Sequence, residues 1–226
     1  MDHRINIVRI KAVHNALGEL RDKVVFVGGA TVSLYADPGS AQVRPTDDVD
    51  ILIEVWGYAN YGAIEDQLRQ MGFQNDTESG VICRYKVQGI IVDVMPTEGK
   101  ALGFNSKWHP EGFKNAIDFE IDKEHTVKIL STPYFLATKL EAFKDRGKND
   151  GRTSQDFEDI VFVLENRRAV WAELEQTSGE LKEYLIAEFR KWMKNPNFEE
   201  WIVGHVERGS PPATGFILEQ LKKFII

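Results

Sequence analysis

Apolar and polar positions along this chain follow two periods, and the switch between them outlines the elements. Ile5, Val8, Val13, Leu17 and Leu20 recur at near-helical spacing, which predicts an opening amphipathic helix over 5–20. Lys23 to Val27 reads as a short apolar strand ending in Gly28-Gly29, and residues 30–36 predict a helix that Asp37-Pro38-Gly39 stops. Val49 to Val55 predicts a second strand. Tyr58 to Met71 predicts a helix with Ile64 and Leu68 inward, closed by Gly72. Two apolar runs, 81–87 and 90–95, flank Gln88-Gly89 and predict a hairpin ended by Pro96. Residues 97–114 read as a loop with at most a short helix. Two further strands are expected at 115–121 and 125–130, around Asp122-Lys123-Glu124.

Beyond residue 130 the period becomes helical throughout. Thr132-Pro133 is a helix-opening pair, and the helix it starts runs to about Arg146, where Gly147 stops it. Thr153-Ser154-Gln155-Asp156 fits a capping box ahead of Phe157, Ile160, Val161 and Leu164. Residues 169–226 hold three more helical patterns, carrying Trp171, Trp192 and Trp201. The expected fold class is α+β: a mixed β-sheet with flanking helices over 1–130, then a C-terminal helical region over 131–226.

Composition narrows the classes of function. The 226 residues carry a formal net charge of -7, which argues against broad charge-driven nucleic-acid binding while leaving room for a local basic patch. Cys83 is the one cysteine, so neither an internal disulfide nor a cysteine-built zinc site is expected. No apolar segment follows Met1-Asp2-His3-Arg4, and no run approaches the roughly 18 apolar residues of a membrane span. The expectation is a cytoplasmic protein with no membrane partner. The P-loop, G-x-G-x-x-G, G-x-S-x-G and H-E-x-x-H patterns are all absent, and the five histidines lack metal-ligand spacing.

Candidate chemistry lies in the acids. Asp48 and Asp50 alternate with Val49 and Ile51, so on a strand both carboxylates project from one face with Cα atoms about 6–7 Å apart. Such a pair is either the wet face of an edge strand or a site that a hard divalent cation neutralises. Asp93 stands inside the apolar run Ile90–Val94, at a cost on the order of several kcal/mol unless it is paired or binds metal. Two partners are open to it: a lysine or arginine, or a metal shared with Asp48 and Asp50 if the two strands are neighbours. Gly28-Gly29 is either a tight turn or a place where backbone N–H groups meet a phosphate, with Thr31 and Ser33 as added hydroxyl donors. Lys139 and Arg146 fall on the apolar arc of their helix, which means either snorkelling or a cationic wall facing an anion. Asp156 and Asp159 sit in the first turns of the next helix, where acids favour the dipole, and Asp156 is the nearer to the apolar face.

Taken together, Gly28-Gly29, Asp48-x-Asp50 and Asp93 resemble the nucleotidyltransferase superfamily that includes polymerase β-like enzymes. The segment 136–148 with Lys139 and Arg146, followed by Asp156-Phe157-Glu158-Asp159-Ile160, is similar to the AbiEii/AbiGii-type toxin nucleotidyltransferases of toxin–antitoxin and phage-defence systems. The resemblance covers residues 23 to about 165. The superfamily often has serine directly after the first glycine; this chain has Gly29 followed by Ala30-Thr31, which leaves Thr31 or Ser33 to supply the hydroxyl. The resemblance implies a nucleotidyltransferase-like sheet and transfer of a nucleoside monophosphate from a nucleoside triphosphate to a hydroxyl. It implies Mg2+, with Mn2+ as an alternative, on Asp48, Asp50 and Asp93. Asp93 would also help deprotonate the acceptor, Gly28 and Gly29 would hold the triphosphate, and Lys139 would lie near the nucleotide; Arg146 and Asp156 join the nucleotide-binding set. A tRNA 3′ end or a protein is the implied acceptor, and a cognate antitoxin the implied partner. An antibiotic-type small-molecule enzyme and a non-catalytic binding module of the same fold are the alternatives.

Overall fold

The computed structural model describes residues 3–40, 43–54, 58–97, 107–206 and 213–226. Val55 and the 98–106 part of the expected loop lie outside the described residues. Contacts divide the chain into two compact units: Met1–Leu34 with Gln42–Ser131, and Tyr35–Ala41 with Thr132–Ile226.

The first unit is α+β. Its strands are β1 (Val24–Val27), β2 (Asp48–Ile53), β3 (Gln74–Asn75), β4 (Arg84–Val87), β5 (Ile90–Pro96), β6 (Ile117–Asp122) and β7 (His125–Ile129). They form one mixed seven-stranded sheet in the order β3-β4-β5-β2-β1-β7-β6. The pairs β2–β5 and β1–β7 are parallel, and the rest are antiparallel. Central strands β1 and β2 bury Phe26, Ile51 and Leu52 completely, as continuous apolar runs do when both sheet faces are covered. The hairpin closes on Gln88 and Gly89 at φ 50° and 77°, the left-handed pair of a two-residue turn whose twist matches the strands.

Among its described residues this unit also carries helices α1 (His3–Ala16), α2 (Tyr58–Gln70) and α3 (His109–Lys114). The opening helix stops earlier than its apolar pattern predicts, because Gly18 turns left-handed at φ 51° and a 3-10 segment, Gly18–Lys23, follows. Its buried stripe also differs. Ile5 and Val8 are 41% and 63% exposed, while Asn6, Ile10, Val13, His14 and Leu17 face inward. The segment expected as a helix over 30–36 is a 3-10 turn, Gly29–Leu34, with every residue from Ala30 to Leu34 buried.

The second unit is all helical among the described residues: α4 (Thr132–Arg146), α5 (Gln155–Asn166), α6 (Val170–Gln176), α7 (Gly179–Met193), α8 (Phe198–His205) and α9 (Ala213–Phe224). Residues 169–226 thus hold four helices rather than three; α9 carries no tryptophan and is set by buried Ile217, Leu221 and Phe224. Phe157 centres an aromatic core, with ring centroids of Phe143, Trp192, Phe198 and Trp201 at 4.9–6.1 Å. Ser154 caps α5 by accepting from the Phe157 N–H, one residue later than the box Thr153–Asp156 expects. Asp37-Pro38-Gly39, expected to stop a helix over 30–36, follows no α-helix and instead joins the helical unit. The Asp37 N–H donates to the Asn166 carbonyl at 2.9 Å, its carboxylate accepts the Arg168 N–H at 2.9 Å, and the Tyr35 ring packs tilted on Phe135 with centroids 4.4 Å apart. Among the described residues no helix is long and apolar enough to cross a membrane.

Candidate functional site

The site begins with how β2 is aimed. Asn6, fully buried on α1, accepts the Thr46 N–H at 3.0 Å and donates to the Arg44 carbonyl at 3.1 Å. Thr46 in turn donates its hydroxyl to the Asp48 carbonyl at 3.0 Å. The chain entering β2 is therefore pinned to α1, and the alternation of the strand starts from a fixed point.

Register then does the assembling. Asp50 stands opposite Asp93 across β2–β5, Arg84 opposite Asp93 across β4–β5, and Val27 opposite Asp50 across β1–β2. Directly opposed residues share a face, so Arg84, Asp93 and Asp50 form one row, with Asp48 two residues along on the same side. The expected neighbouring of the two acid-bearing strands is present, and it puts the three acids on one sheet face. Gly28 follows at φ 72°, and a Cβ built there would lie 2.0 Å from the Asp50 Oδ2. Glycine is thus needed twice at this position, for its backbone angle and for the carboxylate pressed against it.

Arg84 is the residue that the sequence reading did not find. Its Nε and Nη2 donate to Asp93 Oδ1 and Oδ2 at 2.8 and 2.7 Å, and Nη2 reaches Asp48 Oδ2 at 3.2 Å. The forked bond to Asp93 holds the guanidinium proton more tightly than usual, with the charges of Asp48 and Asp50 adding to it against the effect of burial. An arginine, one of the two partners open to Asp93, is in contact with it. The signal was available: in a two-residue hairpin, Val87 pairs Ile90, and counting outward puts Arg84 opposite Asp93. Cys83, next in line, is a buried thiol. Burial and then the Asp93 charge push it up to about 12, which favours the thiol over the thiolate.

The glycine turn differs from expectation in one respect. Thr31 is fully buried and its hydroxyl donates back to the Gly28 carbonyl at 2.9 Å, so that proton is committed to the turn. Ser33 is 5% exposed, and its hydroxyl has no hydrogen-bond partner among the described residues. Gly29 opens a short 3-10 segment and not an α-helix, so any phosphate contact here rests on local N–H groups more than on a macrodipole.

Lys139, Arg146 and Asp156 come together in the helical unit. Lys139, 5% exposed, lies 2.6 Å from Asp159 and 3.1 Å from Asp156. Arg146 forks onto Asp156 at 2.7 and 2.8 Å. Burial pulls the Lys139 ammonium down, but Asp159 and Asp156 outweigh it and the net direction is up. Burial pushes the Asp156 carboxyl up, and the Arg146 hydrogen bond with the Lys139 charge reverses this to a net lowering. The cationic stripe of α4 therefore has its anions on α5, and Asp156 and Asp159 do more there than favour a helix dipole.

Among the described residues no three His, Cys, Asp or Glu side chains are grouped as ready metal ligands. The guanidinium of Arg84 lies across two of the three acids. The donors nonetheless suit a hard divalent cation: all are carboxylate oxygens, two rows of one sheet face carry them, and the missing Gly28 Cβ leaves room for the Asp50 carboxylate. A cleft of about 440 Å³ in the same unit is lined by Leu20, Lys23, Val24, Ile53, Ile64 and Phe113 among others, and contains none of these acids. In comparisons with known proteins, no family model matches the chain and no curated protein matches it.

Proposed function

We propose that this chain is a metal-dependent nucleotidyltransferase that moves a nucleoside monophosphate from a nucleoside triphosphate to a hydroxyl acceptor. One observation carries the reading: Asp50 and Asp93 are register partners on adjacent parallel strands, with Asp48 on the same face and Gly28 packed on Asp50. Asp48, Asp50 and Asp93 would hold Mg2+ or Mn2+. When bound, such ions stabilise charge on the entering and leaving oxygens of an in-line displacement. Asp93 accepts the proton of the acceptor hydroxyl as its oxygen bonds to the α-phosphorus, and the bond to pyrophosphate breaks with its electron pair going to the leaving group. Backbone N–H groups at Gly28 and Gly29 orient the triphosphate. The acceptor class follows from the resemblance: a tRNA 3′ end or a protein side chain, in a toxin that a cognate antitoxin would restrain.

A second reading has its own observation. Arg84 already neutralises Asp93 and Asp48, as in a sheet that uses the acids for structure and serves as a binding module. The deciding experiment incubates the chain with each radiolabelled nucleoside triphosphate, Mg2+, and in turn total RNA, total protein or a panel of hydroxyl-bearing drugs. Label transferred by the wild type and lost with Asp50→Ala supports the enzyme and names its acceptor class. Absence of label with every nucleotide and acceptor leaves the binding module.

A further inference from the structure

Arg84 occupies the ground a divalent ion would need. Its fork engages both oxygens of Asp93, and the same Nη2 spans to Asp48. A cation shared by Asp93 and Asp48 draws on those same lone pairs, and repels a guanidinium that stays among them. Ion and arginine are therefore alternatives. The place of Arg84 is not accidental, since the Gln88-Gly89 turn locks it opposite Asp93 through three intervening register pairs. The side chain also has a way out: it is 23% exposed, against 12% for Asp93, so it reaches water while the acid it holds is largely enclosed.

We propose that Arg84 is a resident counter-cation that a divalent ion must displace before Asp48 and Asp93 act as ligands. Arg84 thus keeps the largely enclosed Asp93 and the half-exposed Asp48 neutralised when no metal is present, and metal entry is coupled to release of the guanidinium. Arg84 is a positioning residue in this scheme. It sets how tightly the ion binds by competing with it, and its planar fork makes it a stronger competitor than lysine. The inference rests on the reading of the three acids as a divalent-ion site, but its test does not require catalysis.

The test titrates Mn2+ into the full chain without nucleotide, counting free ion by electron paramagnetic resonance. The Arg84→Gln variant is expected to bind Mn2+ about tenfold or more tighter than wild type, in the range of an ordinary coupling between two ligands, with Arg84→Lys in between. Mn2+ should also raise the melting temperature of Arg84→Gln more than that of wild type. Equal or weaker Mn2+ binding by folded Arg84→Gln, or no binding by either protein, overturns the proposal. A measurement on the wild type covers the case in which the variant does not fold. The Nε–H resonance of Arg84, hydrogen-bonded to Asp93, should move or vanish as diamagnetic Mg2+ is added; a resonance unchanged at saturating Mg2+ also overturns it. Nucleotide transfer without this exchange would leave the enzyme reading intact and remove Arg84 from it. Exchange without transfer would do the reverse.

Discussion

Lys139 shows how the helical unit tolerates charge in its interior. The ammonium is enclosed with two carboxylates that are themselves 2% and 0% exposed, and Arg146 shares one of them from the surface. Lys139→Ala removes the cation common to Asp156 and Asp159 and is expected to cost about 3–5 kcal/mol, read as a fall in the urea midpoint of the full chain. Replacing Lys139 by Met together with Asp156→Asn and Asp159→Asn should recover much of the loss, because no buried charge then lacks its counter-charge. The sequence left this lysine two readings, snorkelling or an anionic partner, and the packing of α4 on α5 chose the second. The sequence did not say which anion, since a 17-residue separation becomes contact only when α4 and α5 pack. Arg84 is the complementary case: nine residues from Asp93, it was in reach of simple register counting and carried no motif to draw the eye.

At the scale of elements, the hairpin of β4 and β5 carries the most consequence, because its turn decides which residue faces Asp93. Gln88 adopts φ 50°, which an amide side chain one methylene longer than asparagine accommodates less well. Gln88→Asn or Gln88→Gly should stabilise the chain by about 0.5–1 kcal/mol in urea unfolding, with Arg84 still paired to Asp93. Strand and helix identities were largely legible, since continuous apolar runs and capped helical periods survive tertiary context. The failures have causes that periodicity does not carry. Gly18 takes a left-handed turn and cuts α1 short. Asn6 turns inward because the backbone at 44–46 offers it partners, and the helix rotates Ile5 and Val8 outward as a result. The two-residue strand β3 is too short to leave a period at all.

For the whole molecule, acidification is the informative perturbation. Burial holds His109 down to about 4 and also lowers His14, where Arg21 and His125 add to the effect. Both histidines belong to the α+β unit. Each is harder to protonate folded than unfolded, so the unfolded chain binds more protons between about pH 6.5 and about 4. Stability is therefore expected to fall as pH drops through that window, measured as the urea midpoint at pH 7, 5.5 and 4.5, and His109→Gln should flatten the fall. A midpoint that rises on acidification would contradict the lowering of both histidines. Sequence by itself determined the α+β class, the helical second half, and the presence of costly acids on apolar strands, because local period and burial cost are properties of short segments. Only the tertiary structure decided that Tyr35–Ala41 joins the helical unit, that Asp50 and Asp93 are register partners, and that Arg84 stands between Asp93 and Asp48. Those facts depend on which strands become neighbours and on which cation reaches a buried carboxylate first, and chain segments far apart in sequence settle both only when they pack.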